Sequence, residues 1–460
     1  MSTIQEYLSE LSGRSVTVIG MGISNIPLIK MLLRAGVEVT VRDKAPRERL
    51  AEQAQELESL GAKLIFGEQY LQNLQGDILF RTPGLSPNTP ELLEAVQHGI
   101  SLSSEMEVFF QTCPSHLIGV TGSDGKTTTT TIIAEFLKEA NKNVYVGGNI
   151  GKPLLADVAD MVEEDYAVLE LSSFQLMSME QSPHIAVITN ISPNHLDYHH
   201  TMEEYVQAKK NIFLHQGAGD RLILNYDNPG TRAMAGEAVC PVTWFSRREK
   251  LEEGVYLRDK AIWLTNEQGS REVLPLDLIQ LPGDHNVENY MAAIAAVDGI
   301  VPDKCVRAVA QRFQGVEHRI EFVRELDGVR YYNDSIGTSP TRTTACLESF
   351  PQKVILIAGG YDKGVPFTQL GIEIVDRVKT LVLTGDTAPA IRQAVEAAPG
   401  YGPNTPEILM AGDLAGAVKE AKSAAQPGDI VVLSPACAAF DRFKNFMERG
   451  QVFKQLVQAL

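Results

Sequence analysis

The densest concentration of reactive residue types is Gly122-Ser123-Asp124-Gly125-Lys126-Thr127, which follows the apolar run HLIGVT and opens a row of threonines from Thr127 to Thr131. Successive backbone N–H groups of a glycine-rich turn surround phosphate oxygens, and the positive end of a following helix favours their charge. In such a turn Lys126 neutralises β- and γ-phosphate charge, and the Thr127 hydroxyl ligates Mg²⁺. The spacing departs from the general phosphate loop, G-x-x-x-x-G-K-[ST], because Val120 stands where its first glycine belongs. The loop points to a nucleoside triphosphate without saying what receives the phosphoryl group.

Other residues fit less sharply. Glu170 ends the strand-like run YAVLE, where an unpaired carboxylate is costly. A hard cation such as Mg²⁺ meets that need, with a buried salt bridge as the alternative. The stretch NISPNHLDYHH holds His195, Asp197, His199 and His200 but no cysteine, and reads as a polar loop rather than a zinc site. Lys209 and Lys210 in EYVQAKK read as the solvated face of a helix. Asn286 and Asn289, three apart in GDHNVEN, share a helical face and fit either a base edge or a helix cap. Near the N-terminus, Gly20-x-Gly22-x-x-Asn25 follows a strand, with Asp43 about twenty residues on, as in a dinucleotide fingerprint. The third glycine is missing, and Asn25 is expected to hinder close helix–strand packing. A nicotinamide site is therefore disfavoured, leaving another nucleotide phosphate or a structural turn. Arg319, Asp334 and Lys363 lie near strand-end turns that suit an anionic ligand.

The elements that position these residues repeat one pattern. β-branched runs end in Gly, Asp, Ser or Pro turns: SVTVIG, VEVTVRD and DILFRTPG first; then LIGVTG, YAVLELSS, HIAVITN and RLILNYD; then VRYYNDS, KVILIAGG, TLVLTGD and DIVVLSPA. Strands alternating with helical stretches predict an α/β chain with mostly parallel sheets, whose ligands gather beyond the carboxyl ends of the strands. Three domains are expected, 1–113, 114–314 and 315–460. Between Val242 and Leu276 the strands are short and the pattern is less clear.

Composition narrows the class. The 460 residues are 44% hydrophobic, as in globular proteins, and the net charge of −17 argues against a nucleic-acid partner. Cys113, Cys240, Cys305, Cys346 and Cys437 are far apart and suggest reduced thiols in the cytoplasm. The first residues lack the basic and apolar regions of a signal peptide, and no apolar run approaches the ~20 residues of a membrane span.

Taken together, GVTGSDGKTTT, GGNIG, LELSSFQL, NISPNHLD with YVQAK, PGDHNVEN, EHR, YYNDS and LSPACAAFDRFKNF resemble the Mur ligases. These are ATP-dependent amide-bond-forming enzymes of peptidoglycan precursor synthesis. The likeness spans nearly the whole chain, and the family's shorter G-x-x-G-K-[ST] loop matches Gly122–Thr127. It implies an N-terminal Rossmann-like UDP-binding domain, a central ATPase and a C-terminal Rossmann-like domain. LSPACA and FKNF resemble the member that joins D-glutamate to UDP-N-acetylmuramoyl-L-alanine, with an acceptor such as L-glutamate as the alternative. The resemblance implies that the substrate carboxylate takes the γ-phosphoryl group and that the amine displaces phosphate.

Carried over, Gly122, Ser123, Asp124, Gly125, Lys126, Thr127 and Thr128 hold ATP phosphates, and Asn286 and Asn289 lie at adenine. Arg319 and Asp334 reach ATP from the C-terminal domain, which implies hinge closure. Thr127, Glu170, His195 and Lys209, the last as a carbamate, hold two Mg²⁺ ions. Lys126, Lys209, His195 and Glu170 are the catalytic set. Gly22, Ile23, Ser24, Asp43, Pro83, Gly84, Asn149, Ser172 and His195 serve the UDP substrate, and Thr338, Lys363, Ala439, Phe440 and Phe446 serve D-glutamate. A cytoplasmic monomer is expected. Two positions depart from the family: Ile336 where N-D-S-K has lysine, and Ala439 where S-P-A-C-A-S ends in serine. Arg342 is the candidate to restore the missing charge.

Overall fold

A computed structural model describes residues 3–193, 196–199, 201–281, 283–362, 364–403 and 406–460; the side chains of Leu196 and Asp197 are also left aside. His195 and Lys363 lie outside the described residues. The chain divides into two compact units, Met1–Phe313 and Gln314–Leu460.

The first unit carries two sheets. Strands β1 (Ser15–Ile19), β2 (Glu38–Asp43), β3 (Lys63–Phe66), β4 (Ile78–Arg81) and β5 (Ser101–Ser103) pair in parallel in the order β3-β2-β1-β4-β5. The order reverses direction between β1 and β4, the place where an open α/β sheet leaves a crevice beyond its strand ends. There the turn at Gly20 faces Thr82, with only 3.0 Å between Thr82 Cβ and where a Gly20 side chain would begin.

Asn25 is the first residue of the helix Asn25–Arg34 and is wholly buried. Its amide donates to the carbonyls of Ile19 at 3.1 Å and Gly20 at 3.0 Å. The expected hindrance is not met: the amide fills the corner and pins the turn to the strand end, while Leu28, Ile29 and Leu32 seat the helix.

The second sheet holds β6 (His116–Thr121), β7 (Val144–Gly148), β8 (Tyr166–Glu170), β9 (Ile185–Ile188), β10 (Arg221–Asn225), β11 (Val242–Ser246), β12 (Gly254–Arg258), β13 (Ala261–Asn266) and β14 (Gly269–Pro275), in the order β14-β13-β12-β11-β10-β9-β6-β8-β7. All pairs are parallel from β7 to β12, and β12 to β14 form an antiparallel meander. That meander is the stretch whose sequence pattern is weak. Strand β8 is buried throughout and β6 nearly so, as expected of parallel strands covered on both faces.

One apolar cluster joins the two sheets: Val16, Val18 and Phe80 from the first belong with Leu117, Leu169 and Ile188 from the second. The helix Glu105–Thr112 between them contributes Met106, Val108, Phe109 and Phe110.

In the second unit β15 (Glu321–Leu326), β16 (Val329–Asn333), β17 (Val354–Ala358), β18 (Val378–Leu383), β19 (Glu407–Met410) and β20 (Ile430–Leu433) run in the order β15-β16-β20-β17-β18-β19. Only the β15–β16 pair is antiparallel. Separate apolar clusters cover the two faces, one through Leu356 and Leu381, the other through Ile355 and Phe453.

Replacing Asn25 with alanine removes two buried hydrogen bonds and leaves a small void. The expected loss is about 1–3 kcal/mol, read as a lower urea midpoint for the first unit's transition.

Candidate active site

Strand register assembles the site in the first unit. β6 and β8 are neighbours with Val120 opposite Glu170, so the chain leaving β6 turns away beside that carboxylate. Gly122 (φ 145°) and Gly125 (φ 78°) make the turn. A side chain at Gly122 would strike Thr189, and one at Gly125 would strike the Asn289 amide, so glycine is required for closeness as well as for backbone angle. Helix Lys126–Glu139 follows, with Gly125 as its N-cap, so the backbone amides of the first turn face the loop unhindered by a cap side chain. The loop is fastened from β9: Asp124 N–H donates to Asn190 Oδ1 at 2.9 Å, and Thr189 Oγ1 donates to Asp124 O at 2.5 Å. Ser123 Oγ donates to Ser192 O at 2.9 Å and lies 3.0 Å from the Tyr205 hydroxyl.

Glu170 is 2% exposed. Its oxygens accept from Thr127 Oγ1 and Asn149 Nδ2, each at 2.7 Å, and among the described residues it has no ion-pair partner. Of the two readings open from sequence, the salt bridge is therefore absent among the described residues. A buried carboxylate beside a hydroxyl and an amide, all oxygen-rich hard donors, fits Mg²⁺. Lys126 bends back, its Nζ donating to Gly122 O and Ser123 O at 2.9 Å.

Lys209 does not lie on a solvated face. On helix Met202–Lys210 it is 1% exposed, donates to Gly122 O at 2.9 Å and Thr121 Oγ1 at 3.2 Å, and sits 4.8 Å from the Tyr205 ring centre. Burial, then repulsion from Lys126, holds its pKa well below the usual lysine value. Lys210 is half-buried and paired with Glu237 at 2.5 Å.

Asn286 and Asn289 do not cap their helix, Asp284–Val297, whose N-cap is Gly283. Asn289 Nδ2 donates to Asn286 Oδ1 at 3.1 Å, and Asn289 Oδ1 accepts from Thr129 at 3.2 Å, which ties the pair to the loop helix. Thr128, half-buried, completes that first turn. Ser172 caps the helix Ser173–Leu176 through a reciprocal pair of bonds with Gln175. His199, four residues after His195, is buried and stacks on Phe174 at 5.6 Å, with Nε2 2.9 Å from Ser173 Oγ.

The N-terminal candidates form a separate group. Ile23 is 78% exposed beside Gly22 and Ser24. Asp43 shapes that turn, accepting from Met21 N–H at 2.6 Å and Ala45 N–H at 2.7 Å. Pro83 and Gly84 follow β4.

In the second unit, Asp334 leaves β16 4% exposed and accepts from Ser434 Oγ at 2.7 Å and Ile320 N–H at 3.3 Å. Burial raises its pKa to about 6. Arg319 is exposed between two residues with left-handed backbones, His318 (φ 64°) and Ile320 (φ 44°), a strained arrangement for a β-branched side chain. Thr338 is half-buried after Ile336, whose carbonyl accepts from Arg342 at 3.3 Å, so a cation stands beside the position that lacks lysine. Ala439 is buried, Phe440 is exposed, and Phe446 packs edge-on against His318 at 6.1 Å.

Sequence reasoning missed Arg449. It is 3% exposed and donates to Ser335 Oγ and O, Ala438 O and Cys437 O at 2.9–3.1 Å, joining the YYNDS and SPACA loops. Its signal was available: Arg449 shares a helical stripe with buried Phe453 and Val457, where a charge needs a purpose.

Three family models match the chain: the Mur ligase MurD-like N-terminal domain at 14–104, the Mur ligase middle domain at 120–297 and the Mur ligase glutamate ligase domain at 318–437. The chain belongs to the Mur ligase family. A relative in Acetivibrio thermocellus, named UDP-N-acetylmuramoylalanine–D-glutamate ligase, is 50% identical over 99% of both chains. One of the same name in Symbiobacterium thermophilum is 51% identical over 96% of this chain and 97% of that one. The fold is similar to the crystal structure of a UDP-N-acetylmuramate–alanine ligase from Thermotoga maritima (TM-score 0.55, 19% identity, 97% and 99% coverage). It is also similar to a murein peptide ligase from Psychrobacter arcticus (TM-score 0.52, 18% identity, 97% and 99% coverage). Mur ligases are ATP-dependent amide-bond-forming enzymes.

Because the folded pKa of Asp334 lies above its ordinary 3.8, its contribution to stability is present below that value and fades as pH rises toward about 6. Asp334→Asn abolishes this fade. The unfolding free energy of the variant minus that of the parent, from urea titrations, should rise between about pH 4 and about pH 6.5, a change on the order of 2–3 kcal/mol. A flat difference contradicts the assignment.

Proposed function

We propose that this chain joins D-glutamate to UDP-N-acetylmuramoyl-L-alanine, with ATP cleaved to ADP and phosphate, in peptidoglycan precursor synthesis. The observation that carries the reading is the end-to-end identity of about half with ligases of that name. The phosphate loop joined to Glu170 through Thr127 supplies the chemistry.

In the first step an oxygen of the alanyl carboxylate forms a bond to the γ-phosphorus, and the bond from that phosphorus to the β–γ bridging oxygen breaks, releasing ADP. Charge spreads over the transferring group, so positioned dipoles and cations dominate. The amides around Gly122–Gly125 and Lys126 face those oxygens, and Lys126 must exchange its two loop carbonyls for phosphate. Thr127 and Glu170 would hold one Mg²⁺ and His195 a second, and when bound these ions neutralise phosphate charge. Asn149 orients the Glu170 carboxylate and adjoins the muramoyl substrate. In the second step the D-glutamate amine attacks the acyl carbon, phosphate leaves the tetrahedral intermediate, and the amine proton passes to a base or water.

Lys209 is read as a carbamate. Its depressed pKa supplies neutral amine, which takes up CO₂ and releases a proton, leaving a carbamate anion suited to a second Mg²⁺. Asn286 and Asn289 are read at adenine, with Arg319 and Asp334 also reaching ATP. Gly22, Ile23, Ser24, Asp43, Pro83, Gly84 and Ser172 are read along the UDP substrate. Thr338, Lys363, Ala439, Phe440 and Phe446 are read around D-glutamate, with Arg342 supplying charge beside Ile336. The reading includes domain boundaries at 113/114 and 314/315 and a cytoplasmic monomer. No helix among the described residues is long and apolar enough to cross a membrane.

Purified protein with UDP-N-acetylmuramoyl-L-alanine, ATP, Mg²⁺ and D-glutamate should release phosphate. Release no greater than in the control without amino acid would end the proposal, and faster release with L-glutamate would replace the acceptor. Glu170→Gln should lower kcat by about 10²–10³, as loss of one preorganised charge does. For Arg342→Ala, the KM for glutamate should rise by about tenfold, the worth of a bond to a charged group; unchanged KM values for glutamate and ATP would remove Arg342 from the site.

A further inference from the structure

Arg81 ends β4 and is completely buried, yet among the described residues it forms no ion pair. Its guanidinium is instead held by oxygen dipoles from two directions. Nη1 donates to the carbonyls of Thr82, Pro83 and Leu85 at 3.5, 3.4 and 3.0 Å, which wraps the turn carrying Pro83 and Gly84 around the charge. Nη2 donates to Phe174 O and Ser178 Oγ at 2.9 Å, and Nε reaches the same hydroxyl at 3.2 Å. Phe174 belongs to the short helix that begins just after Glu170. One planar fork thus bonds a strand-end turn of the first sheet and the segment beyond the Glu170 carboxylate of the second.

The surroundings reinforce the clamp. The Tyr198 hydroxyl donates to Pro83 O at 3.4 Å, and its ring meets Phe174 edge-on at 4.3 Å. The segment that follows His195 is therefore fastened to the same turn.

We propose that Arg81 is a positioning residue that sets the register between the UDP-substrate turn and the Glu170 edge of the ATP site. This rests on the ligase reading above. The geometry calls for arginine in particular. A lysine ammonium has no rigid fork and cannot satisfy both directions at once, so the exchange is not conservative. Substrate held by Pro83 and Gly84 must deliver its carboxylate to the γ-phosphate, and an error of about 1 Å costs about a hundredfold in rate.

The test uses the full chain with three variants. Arg81→Met removes the charge at similar length. Arg81→Lys keeps the charge without the fork. Ser178→Ala removes two bonds on the central-sheet side and leaves the turn untouched. Steady-state constants for all three substrates are measured, together with calorimetric binding of UDP-N-acetylmuramoyl-L-alanine without ATP. Arg81→Met should raise the KM and Kd for the UDP substrate about tenfold or more and lower kcat, with KM for ATP within about twofold. Arg81→Lys and Ser178→Ala should shift the same constants in the same direction by less. If Arg81→Met does not fold, these two decide. Folded Arg81→Lys and Ser178→Ala proteins that bind and use the UDP substrate as the parent does overturn the positioning role alone. Equal rises in the KM for ATP overturn it too, since a general structural defect would not discriminate. A parent protein that binds no UDP substrate overturns the ligase reading, and the positioning role with it.

Discussion

A carboxylate buried at the end of a covered parallel strand must be compensated, and much of the first unit answers that demand. Glu170 lies opposite Val120 in the β6–β8 register, so the phosphate loop begins where the charge is. Thr127 and Asn149 each donate to one of its oxygens, which orients the carboxylate without discharging it. Burial and the nearby Lys126 hold the Lys209 pKa down, and both lysines donate to the carbonyl of Gly122. The result is a preorganised negative site in low dielectric, where a hard cation gains more than it would in water. The glycines of the loop follow from the same crowding, since Thr189 and Asn289 occupy the space their side chains would need.

The fold class was legible because buried parallel strands read as β-branched runs, and each run here ends in a turn. The meander β12–β14 was not, because short antiparallel strands at a sheet margin carry weaker periodicity. At the site, Gly122–Thr127 was legible because a glycine turn, a lysine and a hydroxyl at fixed offsets have few other uses. Lys209 was not: YVQAKK gives no sign that one lysine points inward while its neighbour pairs with Glu237. Asn25 misled because its volume was weighed without its amide, which donates to two carbonyls in the corner a glycine would have left empty. Arg81 was invisible for a related reason. Beyond the carbonyls of its own turn it bonds Phe174 O and Ser178 Oγ, far away in sequence, and such partners leave little to read.

The second unit solves a similar problem with the opposite charge. Arg449 carries its buried cation on four bonds to loop oxygens rather than on a carboxylate, and so fixes two loops that bear candidate substrate contacts. Ala436 in one of those loops is held at φ 61°, and His318 and Ile320 are likewise left-handed around Arg319. Strain of this kind persists only where surrounding bonds over-determine the backbone, and it gathers at positions where a side chain must be presented at one angle.

The apolar cluster shared by the first two sheets bears on how the chain is made. Met106, Phe109 and Phe110 are synthesised before Leu117, Leu169 and Ile188, later members of the same apolar cluster. Domains that close their own cores can fold as they emerge from the ribosome, N-terminal first. Here the nascent N-terminal segment must wait, with aromatic surface open, until β9 has followed. Residues 314–460, by contrast, carry apolar clusters of their own.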